Sequence, residues 1–444
     1  GYFTEFAEAE GKQNFLNAVQ NYPLLEGQKA NLFKCFLPQA WTFSKEGGVA
    51  GFLHPEGVYD DPNAGILRKE IYYYLKAHFQ FQNELKLFKE IGNTRKYSIN
   101  IYQTPLKKIN DNVNFLHIAN IFSPQTISEC FETASSKLTP GIKNEQGKWE
   151  TKGHPSRIID IDFNTIKLFN KLYESDDIPR LQTRLLALHS QNLVSVLERF
   201  AQQEKRLGNL KGEYHSTQHW NETSSQKDHT IRRETKFPES PKELILSGPH
   251  FFVGTPLNKT PREICTGNSH YDVLDLTQIP DDYLPRTNYV PDCSDSEYYK
   301  RTPRVSWDEN KPVTDFYRLA ARAMIGSSAE RTYIPAIIPP NLGHINGVQT
   351  IVFQNNKLLI QAASFGFSIV ADFYIKTTGR SNLHYTWENF PLINASPPLQ
   401  LRTLALNCLT TYYSKLWEDC WRDNFTEDQW TKPDDPRLNQ TFFS

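Results

Sequence analysis

The sequence predicts an α/β segment followed by an α+β segment, and three observations carry that reading. Residues 1–120 alternate helical and strand patterns in the manner of the later half of a doubly wound sheet. A helical periodicity dominates the stretch 121–240. Residues 241–444 break into short apolar runs between pairs such as Gly248-Pro249, Pro339-Pro340 and Pro397-Pro398. A length of 444 residues implies at least two domains. Only 39% of residues are hydrophobic, but 28 Phe, 21 Tyr and 8 Trp supply large buried areas from few positions.

The elements follow in chain order. Asn31–Ser44 is a helical stretch, and Val49–Leu53 a short apolar strand. After a loop from His54 to Pro62, a helix is expected over Ala64–Phe79, with Ile66, Ile71, Tyr74 and Leu75 on one face. Tyr97–Tyr102 alternates strictly and reads as a strand. Turn residues at Pro140-Gly141 and Asn144–Gly147 flank an expected hairpin. The strongest helical spacing runs from Pro179 to Leu207, through Leu181, Leu185, Leu188, Leu197 and Phe200. Gly208–Pro241 reads as a long polar loop. Val348–Phe353 and Leu358–Ala362 read as a hairpin, and Leu399–Trp421 as a closing helix.

Charge and composition narrow the function. Lys+Arg total 49 against 50 Asp+Glu, which excludes a uniformly basic nucleic-acid binder but leaves room for a local basic groove. No signal-peptide pattern is visible in residues 1–30, and the most apolar region, Ile351–Ile375, is interrupted by Gln354–Lys357 and Gln361. Cytoplasmic location is the simplest expectation. The six cysteines lack Cys-x-x-Cys spacing, so reduced and mostly buried thiols are expected. His215, His219 and His229 lack the Glu of a zinc-protease helix, and Asp160, Asp162, Asp281 and Asp282 have no partner motif, so no metal site is assigned. Neither a phosphate-cradling loop nor a nucleophile elbow occurs. What stands out is basic residues among aromatics and amides: Arg232, Arg233 and Lys236; Arg318, Arg322 and Arg331; and Lys376–Asn382. Cations neutralise phosphates, while Arg and Asn can read base edges.

These segments resemble the C-terminal portion of the large adenine-N6 DNA methyltransferases of restriction and phage-defence systems, the type IIG enzymes and the BREX- or DISARM-type methylases. Gly47–Gly57 with Leu67-Arg68-Lys69 looks like the strand and helix after the catalytic strand. Ile231–Pro238 and Leu246–Gly254 look like the connection into the target-recognition region. Glu330–Pro339, Lys376–Asn382 and Phe390-Pro391-Leu392 are similar to that region's own segments. The resemblance implies a Rossmann-like methyltransferase end over 1–120, a helical connection over 121–240 and a DNA-binding target-recognition domain over 241–444. It also implies double-stranded DNA as partner, S-adenosylmethionine as the parent's cofactor, Lys376, Arg380 and Asn382 as recognition residues, and Arg232, Arg233, Arg318 and Arg331 as backbone contacts. Phe88 is the candidate for packing near a flipped base. The family's Gly-containing cofactor motif and its Asn/Asp-Pro-Pro-aromatic tetrapeptide are missing, because the Pro-Pro pairs are followed by Asn341 and Leu399. With Gly1 at the start and Met324 the lone methionine, the expectation is a chain that lacks its N-terminal catalytic half. The rival is a non-catalytic recognition or scaffold subunit of a defence complex.

Overall fold

The computed structural model describes residues 1–29, 31–109, 113–132, 137–252, 259–326, 329–383 and 386–429. The chain divides into two compact units, Gly1–Gln202 with Thr377–Gly379, and Gln203–Lys376 with Arg380–Ser444. The stretch 121–240 is thus shared between them.

In the first unit, α1 (Tyr2–Asn17) and α2 (Leu32–Phe43) precede β1 (Val49–Pro55). Next come α3 (Gly57–Asp60), α4 (Gly65–Tyr74), β2 (Leu75–Gln82), β3 (Lys96–Gln103) and β4 (Asn114–Ile121). The unit continues with α5 (Gln125–Cys130), β5 (Ile159–Asp162), α6 (Phe163–Tyr173) and α7 (Asn192–Ala201). The strands form one sheet in the order β1-β3-β2-β4-β5. Only β2 and β4 run parallel; the other three neighbour pairs are antiparallel. The doubly wound arrangement expected here would pair its strands in parallel, so the architecture is mixed α+β.

Helix α4 stops at Tyr74, and the residues expected to continue it form β2 instead. Alternation explains the switch: His78, Gln80 and Gln82 share one face of β2, and all three are buried. They join a polar layer. Gln80 Nε2 and His78 Nε2 each lie 2.9 Å from a Glu56 carboxylate oxygen, and His78 Nδ1 lies 2.8 Å from His117 Nδ1. His117 Nε2 must donate to the Leu186 carbonyl at 3.1 Å, so its Nδ1 accepts from His78 Nδ1. Burial pushes the Glu56 carboxyl up, but the His78 charge and hydrogen bonds from His78, Gln80 and Ser98 outweigh it and bring it to about 2. Burial and the His78 charge push His117 down to about 3.

The expected helix over 179–207 is reduced to a 3-10 turn at Arg180–Gln182 and to α7. Between them the chain is non-helical, because its backbone groups are claimed from elsewhere. Arg68 donates to Gln182 O, Tyr72 donates to Thr183 O, Leu185 N donates to Tyr59 O, and Ala187 N donates to Thr377 O. The leucines are still buried; only the periodicity misled.

The second unit opens with β6 (Tyr214–Thr217), α8 (Ser224–Lys227) and β7 (Ile231–Lys236), where a polar loop was expected. It continues with β8 (Ile245–Leu246), β9 (Lys259–Pro261), β10 (Tyr271–Val273), β11 (Thr287–Pro291), α9 (Asp295–Arg301), β12 (Arg304–Val305) and β13 (Asp308–Pro312). Then come β14 (Arg318–Arg322), β15 (Pro335–Ile338), β16 (Gly343–His344) and β17 (Val348–Phe353), followed by α10 (Asn356–Gly366), α11 (Ile369–Lys376), α12 (Pro397–Asn407) and α13 (Ser414–Cys420). The central sheet is β15-β14-β17-β6, antiparallel throughout. The expected hairpin partner of β17 is helix α10, because Asn355 Oδ1 accepts from Leu358 N at 2.9 Å and caps it. The closing helix is broken after Asn407, at Cys408. Among the described residues no single helix is long and apolar enough to cross a membrane; α10 and α11 meet at 70°. All six cysteines are free thiols.

Two outcomes test this description of the first unit. Arg68 is 2% exposed and donates to the carbonyls of Gln182, Val58 and Asp61. Arg68→Met strands those acceptors and should cost about 3–5 kcal/mol in urea unfolding; a loss under about 1 kcal/mol would contradict it. Because His117 sits near 3 and Glu56 near 2, below their ordinary values, the unfolded chain binds more protons as pH falls. Stability should therefore drop from about pH 6.5 downward, through His117 and the likewise lowered His189, His250 and His344, and below about pH 4.5 through Glu56 as well. A urea midpoint unchanged between pH 7 and pH 4.5 would refute the assignment.

Candidate nucleic-acid interface

Two strands of the second unit organise its polar surface. Strand β7 pairs with β11 so that Arg233 lies opposite Tyr289 and Arg232 opposite Val290. Successive side chains of a strand face opposite ways. The two arginines therefore enter different concavities.

Arg233 lines a cleft of about 540 Å³ together with Arg322, Glu222, Tyr271, Met324 and Asn382. The cleft floor is a buried polar chain: Ser247 Oγ lies 2.7 Å from the Tyr271 hydroxyl, which accepts from Asn288 Nδ2 at 2.7 Å. Burial pushes the Tyr271 hydroxyl up to about 12, against the Ser247 and Asn288 hydrogen bonds and the Arg233 charge, so it stays neutral. Arg233 is exposed and donates to Cys265 O at 3.0 Å. Met324 is 68% exposed at the rim and bridges to Asn382. Gly248 and Gly347 stand so close that a Cβ on Gly248 would meet Gly347 O at 3.1 Å. Donors, amides and accessible backbone at one concavity suit a polyanionic, base-bearing ligand.

Arg232 lines a second concavity of about 530 Å³ with Lys236, Lys242, Glu243, Asp295 and Asp315. Two of its three lining cations are committed within the unit, Arg232 to Glu234 at 2.5 Å and Lys236 to Glu243 at 3.0 Å. That leaves this concavity with mixed charge and the first cleft as the better anion site.

The remaining sequence candidates fall elsewhere. Arg318 is fully buried, donates to Leu342 O at 2.5 Å and lies 3.3 Å from His219 Nε2. Burial brings its guanidinium down to about 9. A contact to the DNA backbone is excluded for it, because no route from solvent reaches the charge. Arg331 is half-buried beside Thr332 and Tyr333, whose amides donate to Asp372 at 2.7 Å. Lys376 ends α11 with its ammonium 3.9 Å from Asp372, and Arg380 donates to Thr386 Oγ1 at 3.2 Å. The expected recognition loop Lys376–Asn382 is not an open tip, since Thr377 and Thr378 are each 4% exposed. Phe88 is half-buried in the first unit, edge-on to Tyr97 at 5.0 Å, in a turn held by Asn83. The Val253-Gly254 end of the expected connection lies outside the described residues. Of the three histidines weighed for metal, His219 stacks on buried His344 and His229 pairs with Asp292. Sequence reasoning missed Glu222, which has no motif around it, and named Arg322 only as part of a cluster.

S-adenosylmethionine, implied by the resemblance, brings an ammonium, a carboxylate and a ribose diol. A cavity of about 410 Å³ in the first unit is lined by Leu16, Leu32, Cys35, Phe36, Phe43 and Phe52 among others, none of them charged. Such a lining does not fit that group.

No family model and no curated protein matches the chain. Among solved structures it is similar to the type IIG restriction endonuclease BpuSI, with a TM-score of 0.27 and 11% identity over 92% of this chain and 49% of that one. It is also similar to the ATP-dependent type ISP restriction-modification enzyme LlaBIII bound to DNA, with a TM-score of 0.31 and 10% identity over 89% of this chain and 27% of that one. The chain thus spans about half of the first protein and about a quarter of the second. At these TM-scores the likeness carries no argument about function.

The burial contrast between the arginines is measurable. Arg318→Met should lower the stability of the second unit by about 3 kcal/mol, because Leu342 O loses its donor. Arg322→Ala, at a half-buried position whose side chain has no hydrogen-bond partner among the described residues, should change it by less than about 1 kcal/mol. Equal losses in urea unfolding would show that both side chains serve the core.

Proposed function

We propose that this chain is the DNA-recognition part of a site-specific adenine-N6 DNA methyltransferase of a restriction-modification or phage-defence system. The observation that supports it is the cleft of the second unit, where Arg233, Arg322 and Asn382 meet around a neutral polar floor. Local convergence of donors is what a chain of net charge -1 needs to engage a polyanion. Double-stranded DNA is the ligand in this reading, with Arg233 and Arg322 at the cleft and Lys376, Arg380 and Arg331 on surrounding segments. Methyl transfer from S-adenosylmethionine belongs to a catalytic half that carries the cofactor and base-holding motifs. The second reading, a non-catalytic recognition or scaffold subunit working with separate defence-system partners, is favoured by the missing Asn/Asp-Pro-Pro-aromatic tetrapeptide.

Fluorescence anisotropy with a duplex DNA pool tests the shared core of both readings. Binding should weaken steeply with salt, by roughly 0.9 in log K per log salt for each phosphate neutralised. Absence of binding at low salt would sink both. Labelled methyl transfer to adenine should be absent with this chain alone and appear with the intact parent protein; transfer by a separately encoded partner would favour the second reading.

A further inference from the structure

We propose that Arg322 and Glu222 together read a G·C base pair, an assignment that rests on the DNA-recognition reading of the cleft. Arg322 is the last residue of β14, and its side chain runs over Gly248, where a Cβ would come 3.6 Å from its Cγ. The guanidinium is half-buried, and burial lowers its pKa, yet it makes no hydrogen bond or ion pair among the described residues. Glu222 lines the same cleft and forms no ion pair with either arginine there. Its carboxylate is instead positioned by the Tyr289 hydroxyl, which donates to Oε1 and leaves Oε2 open. Tyr289 is itself fixed in the sheet opposite Arg233.

Two opposite charges that share a cleft without joining keep complementary hydrogen-bonding capacity for a ligand. An arginine fork donates to O6 and N7 of guanine, and a carboxylate accepts from N4 of cytosine; the major-groove edge of a G·C pair offers both side by side. A phosphate fits the pair poorly, because Glu222 would repel the anion that Arg322 attracts. A carboxylate in an otherwise donor-rich cleft is thus the feature that separates base reading from backbone contact.

Selection of duplexes from a randomised DNA pool by the full chain, followed by affinity measurement on chosen sites, tests the assignment. The wild-type chain should enrich sites with one invariant G·C pair. Arg322→Lys keeps the charge but loses the fork, so discrimination at that pair should fall about 10- to 100-fold. Glu222→Gln should relax the preference for cytosine at the same position. Sites enriched without an invariant G·C pair, or an Arg322→Ala chain that weakens equally on every sequence, would overturn the proposal and leave the DNA-recognition reading intact. No binding to any duplex at low salt would overturn that reading itself.

Discussion

The structure depends on arginines buried without carboxylate partners. Arg68, Arg157 and Arg318 are the largest fully buried side chains, and none forms an ion pair among the described residues. Each instead donates to main-chain carbonyls, of turns and loops at Asp61, Lys152, Gln182 and Leu342 and of α3 and β4 at Val58, Ala119 and Asn120. Arg68 binds those of Val58, Asp61 and Gln182; Arg157 binds those of Lys152, Ala119 and Asn120; Arg318 binds that of Leu342. A chain with many irregular connections carries many carbonyls that a helix or sheet does not satisfy, and each left bare in the interior costs about 1–3 kcal/mol. One guanidinium with five donors can satisfy several of them at once.

The same device holds strain in place. Asn120 adopts φ 57° inside β4, where the register to β2 shifts between Phe79 and Phe81. Its carbonyl is bound by Arg157 at 3.0 Å and its side chain by Gln82 at 2.8 Å. A left-handed asparagine in a strand persists only when its surroundings determine it from several sides. Here the polar layer of Gln82 and the buried guanidinium both do so.

How much of this was legible in the sequence follows from the same chemistry. Strands β1 and β3 and helix α2 were legible because ordinary alternation and apolar spacing formed them. Strand β2 was not, since its buried face carries His78, Gln80 and Gln82, which look like solvent-facing positions until Glu56 arrives from the start of α3 and His117 and Asn120 from β4. The leucines of 181–188 were rightly read as buried and wrongly as helical; carbonyls taken by Arg68 and Tyr72 leave no intrahelical pattern in the sequence. Arg233 and Asn382, both singled out from the sequence, do line one cleft. Arg318 could not be told from them, because residue type alone does not say whether a guanidinium faces water or a row of carbonyls. Glu222 had no motif at all; only its place beside Tyr289 gives it meaning.

Burial thus sorts the arginines into two kinds, and the sorting bears on how a neutral chain meets a charged ligand. Where backbone acceptors meet the guanidinium, its charge is engaged inside the unit and its removal disturbs the fold. At the cleft the balance is reversed: Arg322 is half-buried, yet it makes no hydrogen bond or ion pair among the described residues. A donor fork of that kind has no internal partner among the described residues to surrender on binding. Arg232, one residue from Arg233 but on the opposite face of β7, shows the contrast, since its charge is already divided between Glu234 and Asp292. The useful cations are therefore few, and strand alternation together with the placement of acids decides which they are. Under the proposed DNA-recognition reading, net charge near zero is no obstacle to meeting a polyanion, because affinity would come from the unspent donors and not from the total.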